Sequence, residues 1–151
     1  KNLPKDKVVH IAGDAKLLER TALICSNVNY ARDMVNENAD VMNSLAVEKL
    51  VRESLRGARN VRLEVLGRRE MQAKGLNLHL AVNSGSRFEP RLIIVKYSNG
   101  PKSEPYTAFI GKGLTFDSGG LDLKPGQYMT TMRGAADPEI PAPVLSWKLH
   151  P

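Results

Sequence analysis

The sequence predicts an α/β fold, and three observations carry that reading. Two stretches repeat apolar residues at helical spacing, from Leu17 to Val35 and from Val47 to Leu55. From Asn60 the period drops to two, as a half-buried strand requires. Further apolar runs then alternate with turn residues, and one of them leads straight into a glycine-rich segment.

The first helix opens after Gly13-Asp14, with Asp14 as its N-cap. Leu17, Thr21, Ile24, Val28, Ala31 and Val35 follow in steps of four and three, which predicts one buried stripe. Cys25, beside Ile24, is expected to pack within it. Asn36-Glu-Asn-Ala-Asp40 breaks the pattern, because such residues hydrogen-bond their own backbone. A second helix starts at Ser44, turns Val47, Leu50, Val51 and Leu55 inward, and stops at Gly57. Val61, Leu63 and Val65 then alternate with Arg62 and Glu64 in a strand. Glu70 to Lys74 fits one helical turn before Gly75. Leu78 to Val82 reads as a short strand with His79 packed inside it. Arg91 to Tyr97 has a continuous apolar centre, as a strand covered on both faces would. Ser98 to Pro101 is a turn cluster, and Tyr106 to Ile110 reads as a further strand. Four of the nine prolines lie between Gly134 and Pro151, a density that forbids a regular helix from Asp137 to Pro143.

Composition narrows the function classes. The chain has 151 residues, 42% hydrophobic and 25% charged, which suits one core and is too apolar for disorder. Aromatic residues make up 5%, too few for a base-stacking platform. A single cysteine excludes an internal disulfide and a CxxC metal knuckle. No apolar run approaches the roughly 20 residues of a membrane helix, and the first residues lack the apolar centre of a signal peptide. A cytoplasmic protein is expected, with a mitochondrial location as the alternative. The net charge of +6 gathers partly in Arg52, Arg56, Arg59, Arg62, Arg68 and Arg69. Glu53, Glu64 and Glu70 interrupt that cluster, so it reads first as a solvated face and second as a surface for nucleic acid or another polyanion.

The chemistry concentrates in Gly111-Lys-Gly-Leu-Thr-Phe-Asp-Ser-Gly-Gly-Leu-Asp-Leu-Lys-Pro125. Four glycines within ten positions follow an apolar run, where α/β proteins commonly bind ligands. Lys112, Asp117 and Lys124 are the polar residues of interest. A carboxylate can bind a divalent metal, a neutral lysine can join it, and a charged lysine can stabilise an oxyanion. A phosphate loop is disfavoured, since the lysine precedes most of the glycines and Phe116 stands where a third Gly-x-Gly-x-x-Gly glycine would fall.

This segment closely resembles the first metal-site segment of the leucyl aminopeptidases, the cytosol aminopeptidase family, which are two-metal exopeptidases. Ala31-Arg-Asp-Met-Val-Asn36 resembles the end of the family's interdomain helix, and Ser84-Gly-Ser86 with Pro90-Arg-Leu-Ile-Ile94 resembles a stretch of its catalytic domain. The resemblance covers roughly residues 12 to 133. It implies a three-layer α/β/α catalytic domain with a mixed sheet, here partial and preceded by a long linker helix. The expected division is 1–42 for the end of an N-terminal domain and the linker, 43–133 for the first part of the catalytic domain, and 134–151 for a divergent proline-rich tail.

The resemblance further implies Lys112 as a metal ligand, Asp117 as a carboxylate bridging two Zn or Mn ions, and Lys124 as the catalytic lysine that polarises the substrate carbonyl. Met129 and Met132 resemble methionines beside the substrate pocket, with ordinary core packing as the alternative. The implied partners are a peptide substrate and other copies of the chain, hexameric in the family. Two departures stand against full activity. Where the family places another metal-binding aspartate, eleven positions beyond Lys124, this chain has Ala135. The family's Asn-Thr-Asp-Ala-Glu-Gly-Arg motif, with two further carboxylate ligands, is absent. The chain is therefore expected to be an incomplete aminopeptidase, inactive alone, or a relative that serves a structural or assembly role.

Overall fold

The computed structural model describes residues 11–101 and 105–129. The chain divides into two units, Lys1–Arg32 and Asp33–Pro151. The helix α1, Ala15–Asn36, begins in the first and ends in the second. Its start is as the sequence predicts: the Asp14 carboxylate accepts from the Leu17 N–H at 2.8 Å. Its buried stripe is not. No residue of α1 is buried, and Leu17, Ile24 and Val28 are all more than half exposed. Leu18, Leu23 and Tyr30 lie off the stripe, so apolar side chains are spread around the helix and no single face dominates. Cys25 is likewise exposed rather than packed.

In the second unit α2 runs Ser44–Ser54. Asn43 caps it, its side-chain oxygen accepting from Leu45 N at 3.1 Å and Ala46 N at 3.2 Å. Gly57, at φ +77°, takes the left-handed conformation beyond its C-terminus. The strand β1, Val61–Leu66, pairs antiparallel with β2, Leu92–Tyr97, in a register running from Val61↔Tyr97 to Leu66↔Leu92. One face of the pair carries Val61, Leu63, Val65, Ile93, Val95 and Tyr97, as the period of two requires. The core gathers at one end of this hairpin: Leu66, Met71, Ile93 and Val95 are buried, Val95 completely.

Between the strands lie two short helices, α3, Arg68–Ala73, and α4, Asn77–Val82. The Glu70 carboxylate accepts from the Gly67 N–H at 3.0 Å and so starts α3. Gly75, at φ +68°, ends it, with the Leu76 N–H returning to the Met71 carbonyl at 2.9 Å. That reversal sends the chain directly into α4. The strand expected over Leu78–Val82 is therefore a helix, and His79 is exposed on it rather than packed. Six residues of mixed polarity satisfy either period, so the turn at Gly75 decides.

The α/β class is as the sequence predicts. Among the described residues the sheet has two antiparallel strands. Tyr106–Ile110, expected as a strand, forms none; Tyr106, Phe109 and Ile110 are all exposed. Residue Met132 and the proline-rich tail lie outside the described residues.

Candidate functional site

The glycine-rich segment folds back on itself after Phe116. Asp117 stands at the turn, and both its carboxylate oxygens are engaged. Oδ1 accepts from the Gly119 N–H at 2.9 Å, and Oδ2 accepts from the Lys124 ammonium at 2.8 Å. The Lys124 backbone N–H closes the same loop onto the Ser118 carbonyl at 2.9 Å. Gly119 makes this closure possible. Its φ is +92°, and a β-carbon there would collide with the Asp122 carbonyl oxygen and sit 3.1 Å from the Lys124 nitrogen.

The Lys124 hydrogen bond holds the Asp117 carboxyl below the usual carboxylate range. The Gly119 N–H acts in the same direction, desolvation opposes it, and the charges of Lys124 and Lys112 add smaller lowering effects. The loop thus brings the side chains of Asp117 and Lys124 together. Lys112 is exposed and lines a different feature, a cavity of about 450 Å³. Met42, Val47, Met71, Phe88 and Ile93 also line it, giving it mostly apolar walls, while Asp117 and Lys124 lie off it. Met129 ends the four-residue helix α5, Gly126–Met129, and is half-buried.

Sequence reasoning missed what holds the surrounding frame. Glu48 on α2 accepts from Arg91 Nε at 2.6 Å and pairs with Arg52 at 2.7 Å. Burial alone would raise the Glu48 pKa, but the two arginines outweigh it and lower the value. Ser44 donates to the Glu89 carbonyl at 2.6 Å. Arg68 donates to Asn83 Oδ1 at 2.8 Å, and Asn83 donates in turn to the Phe88 carbonyl at 3.0 Å. Arg87 pairs with Asp40 at 2.8 Å and lies 4.8 Å over the Phe88 ring. The stretch from Ser84 to Arg91 thus works as a buckle that several elements grip. The cavity face of His79 was missed too, because the sequence placed that residue in a strand.

Two divalent cations do not fit the described residues as they stand. A two-metal site needs several oxygen ligands. The one carboxylate of the resembling ligand pair is already paired with an ammonium, and no group of three or more His, Cys, Asp or Glu is placed to hold a metal among the described residues.

Comparison with known proteins agrees with the motifs. The catalytic domain of the cytosol aminopeptidase family matches residues 29–137. A probable cytosol aminopeptidase of Protochlamydia amoebophila is 38% identical over 117 residues, covering 78% of this chain and 23% of its own. The corresponding protein of Metamycoplasma salivarium is 35% identical over 125 residues, 82% of this chain and 24% of its own. That of Chlamydia muridarum is 41% identical over 129 residues, 83% of this chain and 25% of its own. The chain thus spans about a quarter of the length of the curated relatives it matches. With a match over most of its length and the glycine-rich loop folded around Asp117, this chain belongs to the cytosol aminopeptidase family, within the catalytic domain.

Proposed function

We propose that the chain carries the lysine–carboxylate part of an aminopeptidase site that releases N-terminal amino acids from peptides. The observation that carries this reading is the Asp117–Lys124 pair at 2.8 Å, in a loop whose glycines leave room for close approach. Family membership implies a metal-dependent enzyme, with Zn or Mn as the candidate ions. Within this chain the roles are those that the family resemblance implies. Asp117 offers a carboxylate, Lys112 a second donor, and Lys124 an ammonium able to hydrogen-bond a carbonyl oxygen as negative charge develops on it. Met129, with Met132, is the candidate wall for the substrate side chain. The family's second carboxylate motif is absent from these 151 residues, so the chain alone is expected to leave peptides intact.

A segment exchange tests this. Residues 29–133 replace their counterpart in the Chlamydia muridarum relative, and hydrolysis of leucine p-nitroanilide is measured with Mn²⁺. Retained hydrolysis that falls about 10²–10³-fold in Lys124→Ala, the loss typical of a removed oxyanion donor, supports the reading. A chimera that folds, hydrolyses and is indifferent to Asp117→Ala and Lys124→Ala overturns it.

A second reading, an assembly component that associates with copies of itself, is favoured by exposed apolar side chains. Leu78 is 83% exposed and Ile110 is 84% exposed. Leu78 shares the α4 face with Val82, which is 66% exposed, and a contiguous apolar patch ordinarily marks a contact site.

A further inference from the structure

We propose that the apolar cavity of the second unit binds an alkyl monocarboxylate, with the chain among α2, α4 and β2 and the carboxylate held by Lys112. The cavity has a volume of about 450 Å³, which falls among small-molecule sites of roughly 300–1,000 Å³. Val47 of α2, Val82 of α4 and Ile93 of β2 line it, together with Met71 and Phe116. Such walls favour an alkyl chain, which gains by leaving water. Lys112 is exposed, so its ammonium stands where the cavity meets solvent.

Charge selects the head group. Among the described residues no Asp or Glu lines the cavity, and the basic side chains that do are Lys112, Arg91 and His79. The Arg91 charge is already answered, since its Nε donates to Glu48 at 2.6 Å. Lys112 forms no ion pair among the described residues, and its charge is the weakest of the influences on Asp117. One ammonium is therefore open to a ligand, beside apolar walls and with no acid there to repel an anion. His79, exposed on α4, adds a ring N–H donor. A carboxylate gains a charge-assisted hydrogen bond at this place, an alcohol forgoes it, and an alkylammonium meets like charge. Asp117 and Lys124 lie off the cavity, so the inference does not rest on the aminopeptidase reading.

The test uses the full 151-residue chain at fixed pH and salt. Decanoate is titrated by calorimetry below its micelle concentration, with decanol and decyltrimethylammonium as probes of matched chain length. Decanoate is expected to bind saturably and about tenfold more tightly than decanol, the factor that a hydrogen bond to a charged group supplies. Decyltrimethylammonium should bind most weakly. Lys112→Met keeps an unbranched stem and removes the charge, so decanoate should fall to the affinity of decanol while decanol is unchanged. Lys112→Arg should restore the preference. Val82→Glu, at an exposed wall position, should weaken decanoate more than decanol. Circular dichroism establishes that each variant is folded. Equal affinities for the three probes, no saturable binding of decanoate, or a preference that survives Lys112→Met overturns the proposal. Decanoate binding that weakens as the chain concentration rises assigns the cavity to a second copy, which also overturns it. The chimera's hydrolysis bears on the aminopeptidase reading alone, so the two readings fail separately.

Discussion

Arg91 Nε donates to Glu48 Oε2 at 2.6 Å, joining residues 43 positions apart. The contact fastens α2 to the residue immediately before β2, and Arg91 also donates to its neighbour, the Pro90 carbonyl, at 2.9 Å. Arg52, one turn along α2, holds the other oxygen of Glu48. One carboxylate therefore sets where the helix meets the hairpin, and Arg91 is one of the residues that line the cavity together with Lys112. Apolar burial near this contact includes Leu66, Met71, Ile93 and Val95.

The first prediction concerns pH. Glu48 has a pKa lowered by Arg52 and Arg91 in the folded chain, so the unfolded chain binds the proton more readily. Its contribution to stability is fully present above the ordinary carboxylate value of about 4.3 and is lost as pH falls through the lower folded value. Glu48→Gln is expected to cost about 1–2 kcal/mol at neutral pH, between the values for exposed and buried pairs. Urea unfolding of both proteins from pH 7 to pH 3 checks it: the difference between them should shrink below about pH 4. A difference that stays constant to pH 3 contradicts the assignment.

A second prediction separates core from surface. The Met71 side chain is 1% exposed and Leu78, on the next helix, is 83% exposed. Met71→Ala is expected to destabilise by about 2–5 kcal/mol, the transfer and cavity costs together. Leu78→Ala should stay within about 0.5 kcal/mol. Denaturant midpoints at constant slope decide between these outcomes.

What the sequence made legible was local. Asp14 as an N-cap, Gly57 and Gly75 as stops, and the alternation of Val61, Leu63 and Val65 all follow from rules that act within a few residues. The glycine run around Asp117 was legible as a turn-forming segment for the same reason. Three things were not. Leu78–Val82 satisfied both periods, and only the reversal at Gly75 made it a helix. The stripe on α1 had the right spacing but competed with Leu18, Leu23 and Tyr30 on other faces. Glu48 and Arg91 were two charges among many, since nothing local pairs residues 43 apart. The bond between Lys124 and Asp117 likewise required the fold of the loop.

A third prediction rests on the backbone of that loop. Gly119→Ala adds a β-carbon where the Asp122 carbonyl already stands and forces a side chain into φ +92°. Strain of this kind costs about 1–3 kcal/mol. Amide protection at Lys124 is expected to fall. Gly85, whose surroundings are open within 4 Å, is the control. Gly85→Ala should be neutral or stabilise by up to about 1 kcal/mol through the unfolded chain. Equal behaviour of the two variants in hydrogen exchange would remove the claim that Gly119 closes the loop.

The last prediction concerns self-association. Leu78 and Val82 lie four positions apart on α4, so they share one helix face, and they are 83% and 66% exposed. Both line the apolar cavity, which places them on a continuous apolar surface in this unit. Removing such surface from water is worth about 25 cal/mol per Å², so the purified chain is expected to associate with itself as its concentration rises. Sedimentation velocity across a hundredfold concentration range would reveal it. The double variant Leu78→Glu with Val82→Glu places two like charges on that face and should lower the apparent mass at every concentration. Salt distinguishes this from binding driven by the arginine cluster: apolar association should persist or strengthen in sulfate, whereas any binding to nucleic acid should weaken steeply as salt is raised. A chain that stays monomeric throughout, with the double variant indistinguishable from it, would show that α4 needs no cover.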